Sequence, residues 1–295
     1  MLQPSLKCIN QLFEHAITSE PIGMGGIWQI RDFSPTAGGD THCGYLLHSD
    51  GPSFLLKLND LAKQSLFSSE AHGLRAIAAT QTITTCRPLC LGHSQNYSYL
   101  VLEGLKLELE GNWYLAGQQL AQMHLAPAEQ QYGFSHPSYC GKTYQPSTRD
   151  DNWAHFFAVH RIGHQLSLLR GQHIDAAEIQ TTIDIVKDLL HHRQPPPSLV
   201  HGDLWQGNIS FHQDQPVIFD PACYYGDPET DLAMSELFSR LPEDFYSGYQ
   251  SVAAIDSGYS ERREIYQLYH ILNHANLYGG SYRQDAEQAL RKLLH

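Results

Sequence analysis

The chain has 295 residues, of which 42% are hydrophobic and 17% charged, and its formal net charge is -12 at pH 7. This length allows one large domain or two lobes that share a cleft. The acidic balance argues against a nucleic-acid partner, whose phosphates require a basic surface, and against an anionic membrane face.

The beginning of the chain and its cysteines favour a cytoplasmic location. The stretch "MLQPSLKCINQLFEHAI" lacks the apolar core of a signal peptide, and no apolar run reaches the length of a membrane span. None of the six cysteines forms a Cys-x-x-Cys pair. We therefore expect neither a disulfide framework nor a zinc site.

The first third of the chain is predicted to form one helix and then mostly strands. Apolar spacing predicts a helix over residues 5–19, and "GMGG" at 23–26 reads as its stop signal. Short runs rich in Ile, Tyr, Leu and Phe follow, separated by the turn signals "PTAGGDT" and "HSDGPS". They predict three antiparallel strands at residues 27–33, 42–48 and 53–58.

Helices dominate the rest of the chain. A helix is predicted at residues 61–79 and a strand at 98–105, and two short strands are predicted at 208–211 and 216–220. The further helices are predicted at 112–125, 150–170, 175–193, 229–240, 262–278 and 284–294. The triple proline at 195–197 cannot continue a helix and predicts an extended entry to Leu199.

These elements predict an α+β fold with two lobes. Residues 1–103 form a small lobe built on an antiparallel sheet, and residues 104–295 form a larger, mainly helical lobe. A cleft is expected at the junction of the two lobes, where ligands commonly bind.

A lysine on an apolar strand is the first candidate for that cleft. Lys57 stands in "FLLKL", where a charge is costly unless it is paired. One interpretation is a side chain that extends to the edge of the strand. The alternative is an ion pair with Glu70, thirteen positions later in the next helix.

Three further polar residues have the spacing of a phosphotransfer site. Asp203 and Asn208 in "LVHGDLWQGNISF" show the D-x-x-x-x-N spacing of a catalytic loop, and Asp220 ends the strand "PVIFD". Phosphoryl transfer needs positioning, charge neutralisation by a metal ion and a group that accepts the hydroxyl proton. Asn208 and Asp220 suit Mg²⁺, Asp203 suits the base, and Lys57 would hold the nucleotide phosphates. Each of these residues alone fits an ordinary turn. A strand lysine, a helix glutamate, the D-x-x-x-x-N loop and an aspartate at a strand end, in this order, together favour a kinase.

The phosphate loop is the least specific part of this pattern. Gly38 and Gly39 in "PTAGGDTHCG" can bring backbone N–H groups near phosphates, although such a pair also fits an ordinary hairpin turn. The chain contains no G-x-x-x-x-G-K-[ST] motif, so a Walker-type NTPase is disfavoured.

The motifs "HGDLWQGN", "IFDPACYYGDPETDLAM" and "GGDT" resemble the fructosamine kinase, or ketosamine-3-kinase, family. The resemblance runs from about Gly38 to the last helices, which is nearly the whole chain. It implies a bilobal protein-kinase-like fold, related to that of aminoglycoside phosphotransferases and choline kinases. It also implies ATP and Mg²⁺ as cofactors and phosphorylation of O3 on a ketosamine, a step that repairs glycated amines.

The resemblance also implies a role for individual residues. Asp203 matches the catalytic base, Asn208 and Asp220 match the metal ligands, and Lys57 matches the phosphate-binding lysine with Glu70 as its partner. The remaining matches are Glu103 and Leu105 at the hinge that holds adenine, Gly38 and Gly39 in the phosphate loop, and Trp205 on the substrate side. Trp205 also fits a plain packing role.

Two more acidic residues and one departure belong to the same segment. Asp227 and Asp231 match the "GD…D" that follows the metal-binding Asp, and Asp231 is expected to brace the catalytic loop from inside the large lobe. Many members have Arg after the Gly-Asp, where this chain has Pro228, which leaves substrate preference open. Cys43 reads as an inert strand cysteine, with a redox-sensitive thiol as the alternative.

Two other functions stay open at this point. One is a kinase for an aminoglycoside or amino alcohol, for which the acidic residues Glu243, Asp244, Asp256 and Glu261 could bind a polycation. The other is a nucleotide-binding sensor without catalysis. The sequence leaves the sugar undetermined, because the candidate sugars differ by one or two carbons and discrimination of a single methylene group is worth only about 1–3 kcal/mol. The amine that carries the sugar and the oligomeric state are also undetermined.

Overall fold

The computed structural model describes residues 6–19, 28–36, 41–94, 96–169 and 174–294. Gly38 and Gly39 lie outside the described residues, as does the predicted helix stop at residues 23–26. No described helix has both the length and the apolar character that crossing a membrane requires.

A five-stranded antiparallel sheet forms the small lobe. Its strand order is β1-β2-β3-β6-β5, and helices α1 and α2 pack against it. The strands of this sheet are β1 (Ile30–Pro35), β2 (Cys43–Ser49), β3 (Ser53–Asp60), β5 (Pro88–His93) and β6 (Tyr97–Glu103). The helices are α1 (Leu6–Ser19) and α2 (Gln64–Thr80).

Alternation along β3 explains how the sheet supports a site. Successive side chains of a strand point to opposite faces. Phe54, Leu56 and Leu58 join the apolar cluster that includes residues of α1. Leu55 lies on the other face, in the cluster that includes residues of α2. Lys57 follows the same alternation and therefore faces α2 and the cleft.

The predicted strands of this lobe are confirmed, with shifts of a few residues. Strand β5 was not predicted, because Pro88 and Gly92 interrupt its apolar pattern. The strand predicted at 98–105 ends at Glu103. The lobe boundary after residue 103 stays a prediction.

The large lobe is mainly helical, with several short strands. Its helices are α3 (Trp113–Leu125), α4 (Trp153–His155), α5 (His164–Leu169), α6 (Ala176–Leu190), α7 (Glu229–Ser235), α8 (Glu243–Gln250), α9 (Tyr259–Tyr278) and α10 (Ser281–Leu294). Its strands are β7 (Tyr132–Gly133), β8 (Ser138–Cys140), β9 (Thr143–Gln145), β10 (Arg149–Asp150), β11 (Ser198–Val200), β12 (Ile209–His212), β13 (Gln215–Ile218) and β14 (Tyr224–Gly226).

Strand β4 (Thr84–Thr85) links the lobes, because it pairs in parallel with β13 across a large sequence separation. The Thr85 hydroxyl also donates a hydrogen bond to the Ile218 carbonyl at 2.7 Å. This pairing holds the end of β13, and so the segment after it, close to the small lobe.

Two of the predicted helices are wrong in their extent. The helix predicted at 150–170 is interrupted by a π-helical segment at Phe156–Gly163. The helix predicted at 229–240 ends at Ser235, and a separate helix, α8, begins at Glu243 after Pro242. In both cases the apolar spacing continues through the break, so the periodicity alone does not reveal it.

Candidate active site

The two lobes enclose a cleft of about 1250 Å³. Its walls include the predicted site residues Lys57, Glu70, Asp203, Asn208 and Asp220, together with Glu103, Leu105 and Trp205. The structure therefore brings together residues that are up to 163 positions apart in the chain.

At the inner end of the cleft, one lysine is paired with two carboxylates. Lys57 Nζ donates a hydrogen bond to Glu70 Oε1 at 2.6 Å and another to Asp220 Oδ1. The Lys57 side chain is 4% exposed and that of Glu70 is 13% exposed, whereas the Asp220 side chain is 40% exposed and faces the cleft. A charge buried this deeply needs such partners.

The pKa values of the three groups follow from burial and from this pairing. Burial works against the charged lysine, but the two carboxylates outweigh it and raise the pKa of Lys57 above its usual value. Burial also acts to raise the pKa of Asp220, but Lys57 holds it below its ordinary range. The pKa of Glu70 is raised, mainly by burial. Asp220 is thus the more firmly ionised carboxylate.

The Asp203 loop is folded around Asn208. The Asn208 Nδ2 donates to the Asp203 carbonyl at 2.8 Å and to Asp203 Oδ2 at 3.3 Å. The loop closes with a 3-10 turn over Gln206–Asn208. Because both hydrogen bonds use the nitrogen of the amide, the Asn208 Oδ1 is the atom available for a cation.

Asp203 presents a partly exposed carboxylate to the cleft. Its side chain is 20% exposed, at the wall of the cleft. Burial, followed by the charges of Asp220 and Asp231, raises the pKa of Asp203 to about 7. A carboxylate with a pKa near neutrality is matched to accepting a proton from a hydroxyl group.

Asp231 braces this loop from beneath. The backbone N–H groups of His201 and Gly202 donate to its two oxygens at 2.7 and 2.8 Å, and His124 Nε2 lies 3.1 Å from Oδ2. Burial alone would raise the pKa of Asp231, but its donors hold it below the usual range. Asp231 is therefore an ionised, buried acceptor that fixes the loop backbone.

Two backbone conformations support the same geometry. Gly202 has φ +79°, and a Cβ there would lie 2.4 Å from the Ala222 carbonyl oxygen, so only glycine fits. Asp220 adopts φ +55°, which is unusual for a residue with a side chain. Strained conformations of this kind persist where the surrounding structure fixes them, and they cluster at functional sites.

A second ionic network lies behind the loop and was not predicted from the sequence. Arg193 donates two hydrogen bonds to Asp227, at 2.7 and 2.9 Å, and the Tyr266 hydroxyl donates a third at 2.8 Å. Arg262 forms a similar bidentate pair with Glu229. These contacts join α7 to α9 and to the segment before β11, and no short-range sequence signal indicates them.

The hinge region offers one backbone donor to the cleft. Glu103 N donates to the Arg87 carbonyl at 2.9 Å and Gly104 N donates to the Ser53 carbonyl at 3.0 Å. Both groups are already used within the lobe. This leaves Leu105 N as the backbone donor of this segment that a ligand could engage.

Other predicted residues have less direct positions. Trp205 lines the cleft with 39% of its surface exposed. Pro228 stands at the beginning of α7 and is not among the residues that line the cleft. Cys43 is half-buried on β2.

The four acidic residues considered for a polycationic substrate do not line the cleft in the described structure; they are Glu243, Asp244, Asp256 and Glu261. Glu243 instead pairs with Arg240, and Asp256 pairs with Arg262.

Three residues near the charged groups were missed by the sequence interpretation. His42 lines the cleft, and burial followed by the charge of Lys57 lowers its pKa to about 4. His270 Nδ1 lies 3.7 Å from Asp203 Oδ1, and Cys140 Sγ is close to both. Cys140 and His270 come from β8 and α9, far from Asp203 in the sequence, so only the folded structure brings them together.

Comparison with known proteins identifies close relatives along nearly the whole chain. The model of the fructosamine kinase family matches residues 16–295. A probable ketoamine kinase of Synechocystis sp. is 46% identical over 274 residues, which is 92% of each chain. A probable ketoamine kinase of Escherichia coli K12 is 37% identical over 281 residues, covering 94% of this chain and 97% of the relative.

Solved structures show the same fold. A candidate fructosamine-3-kinase from Haemophilus somnus superposes with a TM-score of 0.87 at 30% identity and covers 97% of both chains. An aminoglycoside phosphotransferase superposes with a TM-score of 0.59 at 13% identity, covering 90% of this chain and 92% of its own. The second similarity concerns the fold alone, and it confirms the protein-kinase-like, bilobal architecture.

Proposed function

The chain belongs to the fructosamine kinase family and is a phosphotransferase with an alcohol group as acceptor, and from this premise we propose its substrate and site. The proposed reaction transfers the γ-phosphoryl group of ATP, with Mg²⁺, to O3 of a ketosamine such as ribulosamine or fructosamine. The 3-phosphate of a ketosamine is unstable, and the phosphorylated sugar separates from the amine. The reaction would therefore repair glycated amines. A role in repair fits the cytoplasmic location that the sequence favours.

The observation that carries this proposal is the position of Asp203 relative to the other charged groups. Asp203 lies at the wall of the same cleft as Lys57 and Asp220, and its raised pKa of about 7 suits a proton acceptor. In the proposed role it orients the sugar hydroxyl and accepts its proton as the new P–O bond forms.

Lys57 would bind the nucleotide phosphates, and Glu70 would fix the rotamer of its side chain. The nucleotide base would lie against apolar side chains of the small lobe, among them Leu46, Leu55 and Leu102. In this arrangement the backbone N–H of Leu105 would donate a hydrogen bond to the base. The carbonyl of Glu103 belongs to the same hinge segment. Gly38 and Gly39 keep their proposed role in the phosphate loop.

Asn208 and Asp220 fit a Mg²⁺ ion by the chemistry of their donors. Mg²⁺ takes oxygen ligands and is commonly bound by one or two protein groups plus substrate phosphates. The free Asn208 Oδ1 and the Asp220 carboxylate are such ligands. Bound there, the ion would neutralise charge on the phosphates.

An aminoglycoside kinase is the nearest competing function. A polycationic substrate calls for a cleft lined with carboxylates. The carboxylates among the described lining residues are Glu70, Glu103, Asp203 and Asp220, all assigned above to nucleotide, metal or catalysis. The part of the cleft left for the substrate is lined by aromatic side chains, such as Trp205, Phe238 and Tyr278. This lining favours a substrate with little charge. A sensor without catalysis is disfavoured because Lys57 and the whole charged set are present.

The proposal is tested by measuring ATP consumption with Mg²⁺ against ribulose-lysine, fructose-lysine, kanamycin and choline. We expect turnover on a ketosamine that falls at least about 1,000-fold in Asp203→Ala, since the base and its positioning are lost together. Unchanged melting of the variant would exclude unfolding as the cause. Turnover on kanamycin or choline alone would overturn the substrate assignment, and a near-normal rate in Asp203→Ala would overturn the role of Asp203.

A further inference from the structure

The outer end of the cleft carries a group of aromatic side chains that the catalytic assignment leaves unused. We name it the aromatic wall, and it consists of Phe238, His274, Tyr278 and Tyr282. The His274 ring lies 4.6 Å from that of Phe238, 5.5 Å from that of Tyr278 and 5.3 Å from that of Tyr282. The four side chains therefore form one continuous surface.

The aromatic wall is open to solvent and has little charge. Phe238 is 46% exposed, Tyr278 51% and Tyr282 36%. Burial lowers the pKa of His274, so its ring is neutral at pH 7 and does not repel a cation. Aromatic faces attract a nearby ammonium and pack against alkyl chains. The surface suits an apolar stem with at most a single positive charge.

Helix α9 sets the distance from the catalytic loop to this surface. His270, His274 and Tyr278 follow one another at four-residue intervals on α9, so they lie on one face of the helix. His270 is 3.7 Å from Asp203. With a rise of about 1.5 Å per residue, Tyr278 lies roughly 12 Å farther along the helix axis than His270.

A ketosamine carried on an alkylamine has about this length. From O3 to the amine nitrogen there are four bonds, or about 5 Å, and a four-carbon stem, again four bonds, adds about 5 Å. With O3 at Asp203, the stem would therefore run along α9 toward Tyr278 and leave the cleft at its open end. A carrier such as methylamine would end before it reaches the wall.

We infer that the aromatic wall is a carrier subsite that binds the alkyl stem of the glycated amine, and that Tyr278 and Tyr282 make the enzyme prefer long stems over short ones. This inference rests on the proposed function and extends it from the sugar to its carrier. The subsite acts on binding rather than on the transfer step, because it lies remote from Asp203. The preference should therefore appear in KM and leave kcat nearly constant.

The test uses one sugar on three carriers: the ribulosamines of methylamine, butylamine and hexylamine, with ATP and Mg²⁺. For the wild-type protein we expect kcat/KM to rise about tenfold from the methyl to the butyl carrier, since each CH₂ that is partly buried contributes a few-fold. For Tyr278→Ala combined with Tyr282→Ala we expect this ratio to fall below about threefold. Tyr278→Phe should keep it, because the ring and not the hydroxyl makes the contact.

Tyr144→Ala is the matched control, since Tyr144 is 45% exposed on β9 and does not line the cleft. This variant should keep the wild-type ratio. A wild-type ratio near one, or a tenfold ratio that survives in the double variant, would overturn the inference while leaving a working ketosamine kinase. Absence of turnover on all three carriers would overturn the proposed function and the carrier subsite together.

Discussion

The inner and outer ends of the cleft are built in opposite ways. At the inner end, Lys57 is 4% exposed and paired with two carboxylates, and Asp231 accepts from backbone donors beneath the loop. At the outer end, Phe238 and Tyr278 are about half exposed, and ring contacts connect the wall. One end is charged and tightly held, whereas the other is apolar and open.

This difference reflects what each end must do. Buried charges are costly unless their partners are fixed, and phosphoryl transfer depends on groups held within fractions of an ångström. An apolar stem needs contact area but tolerates small displacements, because the hydrophobic effect has no preferred direction. Changes at the inner end should therefore affect rate or stability strongly, and changes at the outer end should alter the choice of carrier.

The largest effect on stability is expected at Asp231. Asp231→Asn replaces one acceptor oxygen by an N–H₂ group that faces the donors of the catalytic loop. The substitution leaves a buried donor without a partner and removes a buried charge that had partners. Together these two effects lower the free energy of unfolding by about 3 kcal/mol. Urea unfolding at pH 7 should show this loss of the free energy of unfolding, along with a reduced kcat.

Asp184→Asn provides the control for this prediction, because Asp184 is 55% exposed on α6. It should change the free energy of unfolding by less than about 0.5 kcal/mol. Equal effects of the two substitutions would mean that Asp231 does not brace the loop.

The next largest effect is expected at Lys57, where a substitution should lower kcat/KM for ATP. Lys57→Met keeps the length of the side chain in its buried position but removes the charge that pairs with Glu70 and Asp220. The kcat/KM for ATP should fall about 100-fold, equivalent to about 2.7 kcal/mol, with the KM for the ketosamine changed far less. Steady-state kinetics with each substrate varied in turn would measure both.

Lys63→Met, on the exposed 3-10 turn before α2, should leave the ATP kinetics within twofold of wild type. If Lys57→Met did the same, the phosphate-binding role of Lys57 would be rejected.

Much of the inner end was predictable because its residues stand in strong local contexts. Lys57 interrupts an apolar strand, and Asp203 and Asn208 share one short loop between two strands. Strand alternation and loop spacing then determine which way such side chains point. The antiparallel strands and the long helices followed from periodicity for the same reason.

The outer end and the supporting networks could not be predicted in this way. Phe238 and Tyr282 reach the cleft from separate parts of the chain, and nothing in their local sequence distinguishes them from core aromatics. The pairing of Arg193 with Asp227 also depends on tertiary contact alone. Strand β5 and the π-helical segment were missed because proline, glycine or continuous apolar spacing hides them.

A pH experiment on His270 would sharpen the contrast between buried and exposed groups. Burial, followed by the charge of His274, lowers the pKa of His270 to about 3, so the folded protein keeps this ring neutral while the unfolded chain protonates it near 6.5. Between these pKa values the unfolded state binds more protons, so the free energy of unfolding falls as the pH drops below about 6.5. From pH 7.5 to 5.0 the loss amounts to about 2 kcal/mol.

From pH 7.5 to 5.0 the free energy of unfolding of His270→Gln should therefore fall by about 2 kcal/mol less than that of the wild-type protein. Urea unfolding at pH 7.5 and 5.0 measures the difference. His48→Gln, at an exposed position on β2, should behave like the wild type. An identical pH dependence for His270→Gln would mean that the His270 ring is not held neutral by burial.

The smallest effect is expected at Glu243, and it separates the aromatic wall from the acidic surface nearby. Glu243 is 71% exposed and pairs with Arg240, whose guanidinium also lies over the Tyr246 ring. Exposed ion pairs contribute little, so Glu243→Gln should change the free energy of unfolding by less than about 0.5 kcal/mol and kcat/KM for any ketosamine by less than twofold. A substantial loss of turnover in this variant, measured on the methyl and butyl carriers, would shift substrate recognition from the aromatic residues to the acidic ones and reopen the case for a polycationic substrate.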